Sequence, residues 1–567
     1  MRRFLFSDRF ILVMKFNWFV FLVLFLIGFA IFFNGLAGDF VHDDLIVLSH
    51  SFFSQPERIF NFFSEPYFED FYQAGLYRPL TQFSLGLNFL FSSSTFGFHF
   101  ANVLLHVINS FFVFLLLKKL SSKDRFSLVA ALLFLVLPIH VEAVTSIVGR
   151  AELLSFFFGI LTLLLWFDSK YFLSAITLFL ALSAKENAVA AIAIVFLFGL
   201  HYRRNWRWLI YYFGVLVLYF GMRIAVLGQY AFQTKVEFVF NPLAHVSFFE
   251  RFWTALKVLT LYLIKTFVPY RLSADYSYDQ IPVVTSLFSS PLALVGLVVL
   301  GLMLWAVCRV FQRKVSLFVW ALIFFFLPYL VISNLIFPTG TIMAERLMYF
   351  SSLGVIVVLA VAVEELFKLS KKIGLSVLLV LTLVYGFLTI SQNRIWASRE
   401  ALLADIFKKS SDSVVAKTEY GVLILDKDRE LAKKLSLEVY EKYPDYVQNL
   451  NLRAAVEVQE GDLESAQKFL ERALELRPKH QNTLQNLSRV YFTLGKYQKT
   501  EEVLKVLVSE SGGKGNVIFY ALVQAKNRRF AESHQTLYSF FGPEVEDESA
   551  LKILRGDLKE LEEFFRF

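Results

Sequence analysis

Long apolar stretches constrain this chain more than any other feature. They recur near residues 16–36, 98–117, 127–145, 151–167, 171–183, 187–200, 208–227, 253–269, 290–308, 315–336, 348–366 and 373–391. A helix needs about 20 apolar residues to cross a hydrocarbon core, where every backbone polar group must be satisfied internally. Repeated runs of that size imply a polytopic helical membrane protein. Only 18% of residues are charged, against about a quarter in soluble domains. The net charge of +8 lies in short Lys/Arg clusters between the runs, as membrane topology requires, so nucleic acid is set aside as a partner. Cys308 has no second cysteine, which excludes a disulfide or a cysteine-based metal site.

Positive charge orients the runs. Arg2, Arg3, Arg9 and Lys15 precede the first run, which ends at Asn34-Gly35 without a small-x-small cleavage signal and reads as a retained anchor. Further basic connections lie at Lys118-Lys119, Arg203-Arg204, Arg313-Lys314 and Lys371-Lys372. With these in the cytoplasm, segments 37–97, 140–150, 184–187, 228–289 and 337–347 fall on the far side. Run 253–269 breaks the alternation, carries Lys257 and Lys265, and ends at Pro269, so it reads as interfacial or re-entrant. About eleven spans remain, with the N-terminus cytoplasmic and the C-terminus outside.

After Arg394 the composition becomes mixed-charge and helical. Pro444 and Pro478 are 34 residues apart, as are Gly461 and Gly495, and Ala466 and Ala473 stand where helices must approach closely. That period is the signature of tetratricopeptide repeats, about four between 413 and 546. Stacked repeats form a groove for a peptide or protein; a stability cap or an oligomerisation surface is the plainer reading. The expected organisation is all-α: a cytoplasmic stretch 1–15, a membrane domain 16–394 with its first outer loop at 37–97, and an extracytoplasmic repeat domain 395–567.

The far-side segments collect polar groups. "GDFVHDDLIVLSH" (38–50) carries Asp39, His42, Asp43, Asp44 and His50. Arg78 follows, then His99, Asn102, His106 and Asn109, then His140, Glu142, Arg150 and Glu152, then Lys185-Glu186 and Glu345-Arg346. Each has a bland alternative: Asp39 or Asp43 as a helix cap, Lys185-Glu186 and Glu345-Arg346 as interfacial pairs, His99 to His106 as a hydrogen-bonded stripe between helices. Five clusters on one side suit transfer of a sugar from a lipid phosphate to a hydroxyl. Such a reaction needs a carboxylate base and cations where charge grows on the departing phosphate. A transporter with an acidic proton relay and a basic anion site would use the same residue types.

The motifs "FVHDDLIVL", "LYRPLTQFSLGLN", "FHFANVLLH", "PIHVEAVTSIVGRAELL", "AKEN", "NPLA", "LSADYSYDQIP" and "SNLIFPTGTIMAERLMYFSSLG" occur in order along the membrane portion. Together they resemble the transmembrane and tetratricopeptide-repeat O-mannosyltransferases, part of the C-type (GT-C) glycosyltransferase superfamily. The resemblance implies a polyprenyl- or dolichyl-phosphate-sugar donor, mannose as the sugar, inversion at the anomeric carbon and Ser/Thr hydroxyls of proteins as acceptors. It places the catalytic base at Asp43 or Asp44, with Asp43 favoured. Their charge and their side of the membrane then make Arg78, Arg150, Lys185 and Arg346 candidates for the lipid phosphate. His42, His99, Asn102, His106, His140, Glu142, Glu152, Glu186 and Glu345 are candidates for the sugar and acceptor pocket. His42 stands where relatives carry an aromatic, and Leu137 where many carry a second histidine, which weakens a paired-histidine metal site. A divalent cation, magnesium or manganese, is left open as a cofactor. The short repeat array points to a bacterial plasma membrane, with the active face and repeats outside. Transfer to a lipid or envelope glycan, and a non-catalytic repeat scaffold or transporter, stay open as alternatives.

Overall fold

The computed structural model describes residues 8–48, 56–68, 75–232, 236–542 and 546–565; Arg2, Arg3 and His50 lie outside the described residues. The described residues form helices and connecting turns, in two compact units, Met1–Ser413 and Val414–Phe567.

In the first unit the helices are α1 (Asp8–Phe32), α2 (Asp43–Leu48), α3 (Pro79–Phe91), α4 (Thr95–Ser121), α5 (Asp124–Val136), α6 (Val141–Thr145), α7 (Arg150–Phe167) and α8 (Tyr171–Ala184). They continue as α9 (Val189–His201), α10 (Leu209–Leu227), α11 (Phe248–Phe267), α12 (Pro291–Phe311), α13 (Leu317–Ile332), α14 (Met348–Leu369), α15 (Lys371–Asn393) and α16 (Arg399–Lys409). Among the described residues seven helices are long and apolar enough to cross a membrane: α1, α4, α7, α10, α12, α14 and α15. The α5–α6 pair makes an eighth if it counts as one bent span. Its 52° bend has a cause in the sequence: Pro138 has no N–H to continue the ladder, and Leu137 before it leaves the helical region. Helices α8, α9 and α13 are apolar but only 14, 13 and 16 residues long. At 1.5 Å per residue they reach about 20–24 Å, less than the core thickness. The expected eleven spans are reached only if these three cross as well. Helix α11 is not among the seven and opens with a capping box between Ser247 and Glu250.

The breaks between helices matter most for function. Arg78 caps α3 with Pro79 at its first position, Lys185 sits in extended conformation between α8 and α9, and a short 3-10 turn, Glu345–Leu347, leads into α14.

Close helix packing depends on Gly354. A Cβ there would run into the Ala321 carbonyl and the Phe325 backbone nitrogen, so α13 and α14 approach along a face that tolerates no side chain. Gly354→Ala is expected to destabilise the bundle by about 1–3 kcal/mol through overpacking, read as a lower thermal midpoint in detergent.

The second unit consists of helix pairs: α17 (Val414–Ile424) with α18 (Arg429–Lys442), α19 (Val447–Gln459) with α20 (Leu463–Leu476), α21 (Gln481–Thr493) with α22 (Tyr497–Ser511), and α23 (Lys514–Lys526) with α24 (Phe530–Phe541). Two shorter helices follow, α25 (Glu548–Leu554) and α26 (Lys559–Phe565). Gly461 and Gly495 occupy the left-handed turn of successive pairs at φ +85° and +71°, a conformation glycine adopts without strain. Arg528 takes the same place in the next pair. Ala466 and Ala473 are fully buried at the helix crossings. The domain boundary inferred from composition, at 395, precedes α16, which clusters with the membrane unit; the repeats begin at Val414.

Candidate functional site

The two adjacent aspartates have different surroundings. His42, in the left-handed region at φ 53°, turns the chain into α2, so that Asp43 and Asp44 start the helix pointing in different directions. Asp44 is fully buried. Its carboxylate accepts the backbone N–H of Val148 at 2.9 Å, that of Val41 at 3.3 Å and the Ser146 hydroxyl at 3.3 Å. It therefore fastens α2 to the 146–148 turn. Gly149 is required beside it, because a Cβ there would strike the Ala143 carbonyl. Asp43 is different: 36% of its side chain is exposed, and its Oδ2 lies 3.9 Å from the Arg346 guanidinium.

Burial pushes the Asp44 carboxyl up from 3.8 to about 6, despite N–H donors from Val148, Val41 and Ile147, and the Asp43 charge adds to the rise. For Asp43 burial also raises the pKa, but His42, Arg346, Arg78 and Lys185 outweigh it and hold the group below its ordinary value. The Asp44 shift has a consequence for stability. A carboxyl whose folded pKa is raised contributes stability that is complete below pH 3.8 and is lost as pH rises to about 6. At about 1.4 kcal/mol per unit, that is about 3 kcal/mol. Thermal midpoints of wild type and Asp44→Asn, compared across pH, are expected to shift in favour of the variant between pH 4 and 6 and to run parallel above 7.

Around Asp43 the cations and carboxylates interleave. Arg346 binds Glu142 twice, through its guanidinium and through its backbone N–H at 2.8 Å. Lys185 pairs with buried Glu152, whose second oxygen accepts Asn187 Nδ2 at 2.9 Å. Arg78 Nε donates to Glu186 at 3.1 Å, and its guanidinium lies over the Tyr67 ring at 5.2 Å. Arg223 reaches the other Glu186 oxygen at 3.7 Å. Asp43, His42, Arg346 and Glu186 are part-exposed, while Glu142, Glu152 and Lys185 are buried behind them.

The remaining candidates face inward. Arg150 is buried at the start of α7 and spends its donors on Asn102 Oδ1 at 2.7 Å and the carbonyls of Phe98 and Ser84. Asn102 in turn donates to the Ser146 and Ile147 carbonyls, and His99 Nε2 lies 3.2 Å from the Gly38 carbonyl. His106 pairs with Tyr349 at 2.8 Å and His140 with Ser352 at 2.7 Å, inside the bundle. Glu345 turns away from Arg346 and accepts Tyr276 O–H at 2.6 Å and Ser273 N–H at 2.7 Å.

Arg223, Tyr67, Asn187 and Tyr276 were not singled out from sequence. Arg223 carried a usable signal, a lone charge inside the apolar run "LYFGMRIAVLG", where an ionisable residue marks a site by default. The other three become visible only through their partners in space. Among the described residues no group of three or more His, Cys, Asp or Glu side chains is placed to hold a metal ion.

A tetratricopeptide-repeat family model matches residues 457–513, the α20–α22 region. Protein O-mannosyl-transferase F38B6.6 of Caenorhabditis elegans is 27% identical over 373 residues, covering 61% of this chain and 52% of that protein. Human protein O-mannosyl-transferase TMTC3 is 28% identical over 65% of this chain and 45% of its own length. The homologues of this chain are protein O-mannosyl-transferases by name. A shorter match to the O-mannosyl-transferase tmtc2 of Xenopus laevis reaches 36% identity over 147 residues, covering 24% of this chain and 17% of that one. The chain spans about half the length of the O-mannosyl-transferases it matches.

Proposed function

We propose that this multi-pass membrane protein is a glycosyltransferase that moves mannose from a polyprenyl-phosphate carrier to Ser or Thr hydroxyls of proteins, with inversion. The observation that carries the reading is the part-exposed carboxylate of Asp43, set among Arg346, Arg78 and Lys185, on a chain whose homologues bear that name. The acceptor oxygen attacks the anomeric carbon and its proton passes to Asp43. The bond from that carbon to the phosphate oxygen breaks on the opposite face, and its electron pair stays on the phosphate. Arg346, Arg78 and Lys185 meet the charge that grows there, with Arg223 behind them.

Each of these cations is already paired: Arg346 with Glu142, Lys185 with Glu152, and Arg78 and Arg223 with the shared Glu186, while Asp43 supplies a fourth negative charge. The site therefore carries little excess positive charge. That suits a donor phosphodiester with one negative charge and does not trap the more highly charged lipid phosphate left after transfer. Glu142 and Glu152 fix Arg346 and Lys185 in place, and part-exposed Glu186 and His42 border the sugar and acceptor space. The same reading puts the N-terminus in the cytoplasm of a bacterium, and the site and the repeats on the outer side of its plasma membrane. There the repeats hold the acceptor protein.

The test is purified protein in lipid with radiolabelled polyprenyl-phosphate-mannose and envelope proteins of its own host. Label in protein is expected. Label only in lipid or glycan would keep the chemistry and replace the acceptor, and no transfer from any of several sugar donors would leave a membrane scaffold.

A further inference from the structure

The loop 272–280, "LSADYSYDQ", makes an unusual number of side-chain bonds for a connecting segment. Such loops normally satisfy their polar groups with water. Here Ser273 N–H and Tyr276 O–H both donate to Glu345 Oε1, at 2.7 and 2.6 Å. On its other side the loop is fastened to 410–413. Ser273 Oγ is 2.9 Å from Ser410 Oγ, Ser410 donates to the Asp275 carbonyl at 2.6 Å, and Ser413 donates to the Asp275 carboxylate at 2.6 Å. Ser273, Ser410, Ser413 and Glu345 are buried, so each bond is costly to leave unmade.

Both ends of this network are functionally placed. Ser413 is the last residue of the membrane unit, and the repeat array starts at Val414. Glu345 immediately precedes Arg346 on the same 3-10 turn. Tyr262, bonded to Ala344 N–H at 2.9 Å, and Glu142, bonded to Arg346 N–H at 2.8 Å, also hold that turn. The loop supplies a further tie and connects the turn to the segment from which the repeats emerge.

We propose that Asp275, Tyr276, Glu345, Ser410 and Ser413 are positioning residues, a hydrogen-bonded strut through which the root of the repeat array sets Arg346 relative to Asp43. The inference rests on the reaction proposed above. The 3.9 Å between Arg346 and Asp43 is longer than a hydrogen bond, which leaves a distance for the strut to adjust. An acceptor held by the repeats pulls on 410–413, and the loop passes the displacement to the arginine that meets the phosphate. A buried, mutually bonded network moves as a unit, which is what such a strut requires.

The full-length protein is tested with Asp275→Ala, Asp275→Asn and the double variant Ser410→Ala/Ser413→Ala. For each, kcat and both KM values are measured with a folded protein acceptor and with a short Ser/Thr peptide, alongside the thermal midpoint. With the protein acceptor, Asp275→Ala and the serine double variant are expected to lower kcat about tenfold or more, with both KM values nearly unchanged. Asp275→Asn, which keeps one oxygen to accept and gains an amide N–H that a serine hydroxyl can accept, can still bond both Ser277 and Ser413 and is expected to recover most of that loss. The short peptide, which does not engage the array, is expected to show a much smaller change. A kcat that falls only in proportion to the folded fraction, an Asn variant no better than Ala, or equal losses with peptide and protein would overturn the strut. Wild type that transfers no mannose would instead remove the reaction on which the strut rests.

Discussion

Asp43→Asn is expected to reduce sugar transfer by a factor of about 10²–10⁴, the usual contribution of a positioned general base, while the protein keeps its fold. Asparagine preserves the shape at the start of α2 but cannot take a proton from the acceptor. Little stability is at stake. The contact with Arg346 is 3.9 Å long between part-exposed groups, and such pairs contribute about 0–1 kcal/mol. Asp44→Asn is the matched control: it changes a buried carboxylate that is bonded to backbone and to Ser146, with no exposed face toward a substrate. Its turnover per folded molecule is expected to stay close to wild type. The pH profile separates the two in a second way. Asp43 is held below the ordinary carboxylate value by His42, Arg346, Arg78 and Lys185, so its own titration should place no acid limb in kcat/KM between pH 5 and 7 in the otherwise wild-type protein. A limb near 6 would match Asp44, raised to about 6, and would move the base to that residue. Equal losses from both asparagine variants would end the assignment to Asp43.

Much of the scaffold could be read from the sequence because it obeys local rules. Apolar run length marked the helices and the 34-residue spacing marked the repeats, whereas the bend at Pro138 lay unread inside the run 127–145. The acidic pair and the basic residues near it were visible as charges at the ends of apolar runs, where they are expensive. What could not be read was which charge meets which. Lys185 and Glu186 are neighbours in sequence and invite reading as a pair, yet Lys185 bonds Glu152 while Glu186 takes Arg78 and Arg223. Glu345 and Arg346 part in the same way, one to Tyr276 and the other to Glu142. Successive side chains of a 3-10 turn point about 120° apart, so adjacency in the chain works against pairing in space. Arg150 shows the converse. It has the right charge on the right side, but its donors go to Asn102 and two carbonyls, a fate set by packing between α4 and α7.

Lys185→Met is expected to cost about 3–5 kcal/mol of stability, the range for stripping one partner from a buried ion pair. Glu152 would be left buried, with Asn187 Nδ2 its one remaining bond among the described residues. The measurement is the thermal or denaturant midpoint of the purified variant in detergent. Adding Glu152→Gln removes the stranded charge, so Lys185→Met/Glu152→Gln should recover most of the lost stability. Transfer should not recover with it. If Lys185 serves the lipid phosphate, the double variant folds but still lacks one of the cations that meet the leaving group, and kcat stays low with the fold restored. Recovery of both together would show that the pair only braces α7 against the 185–187 turn. Phosphate stabilisation would then fall to Arg78, Arg223 and Arg346. The double variant therefore separates two roles that the single substitution cannot, because a charge that holds the site together and a charge that acts on the substrate fail alike when removed alone.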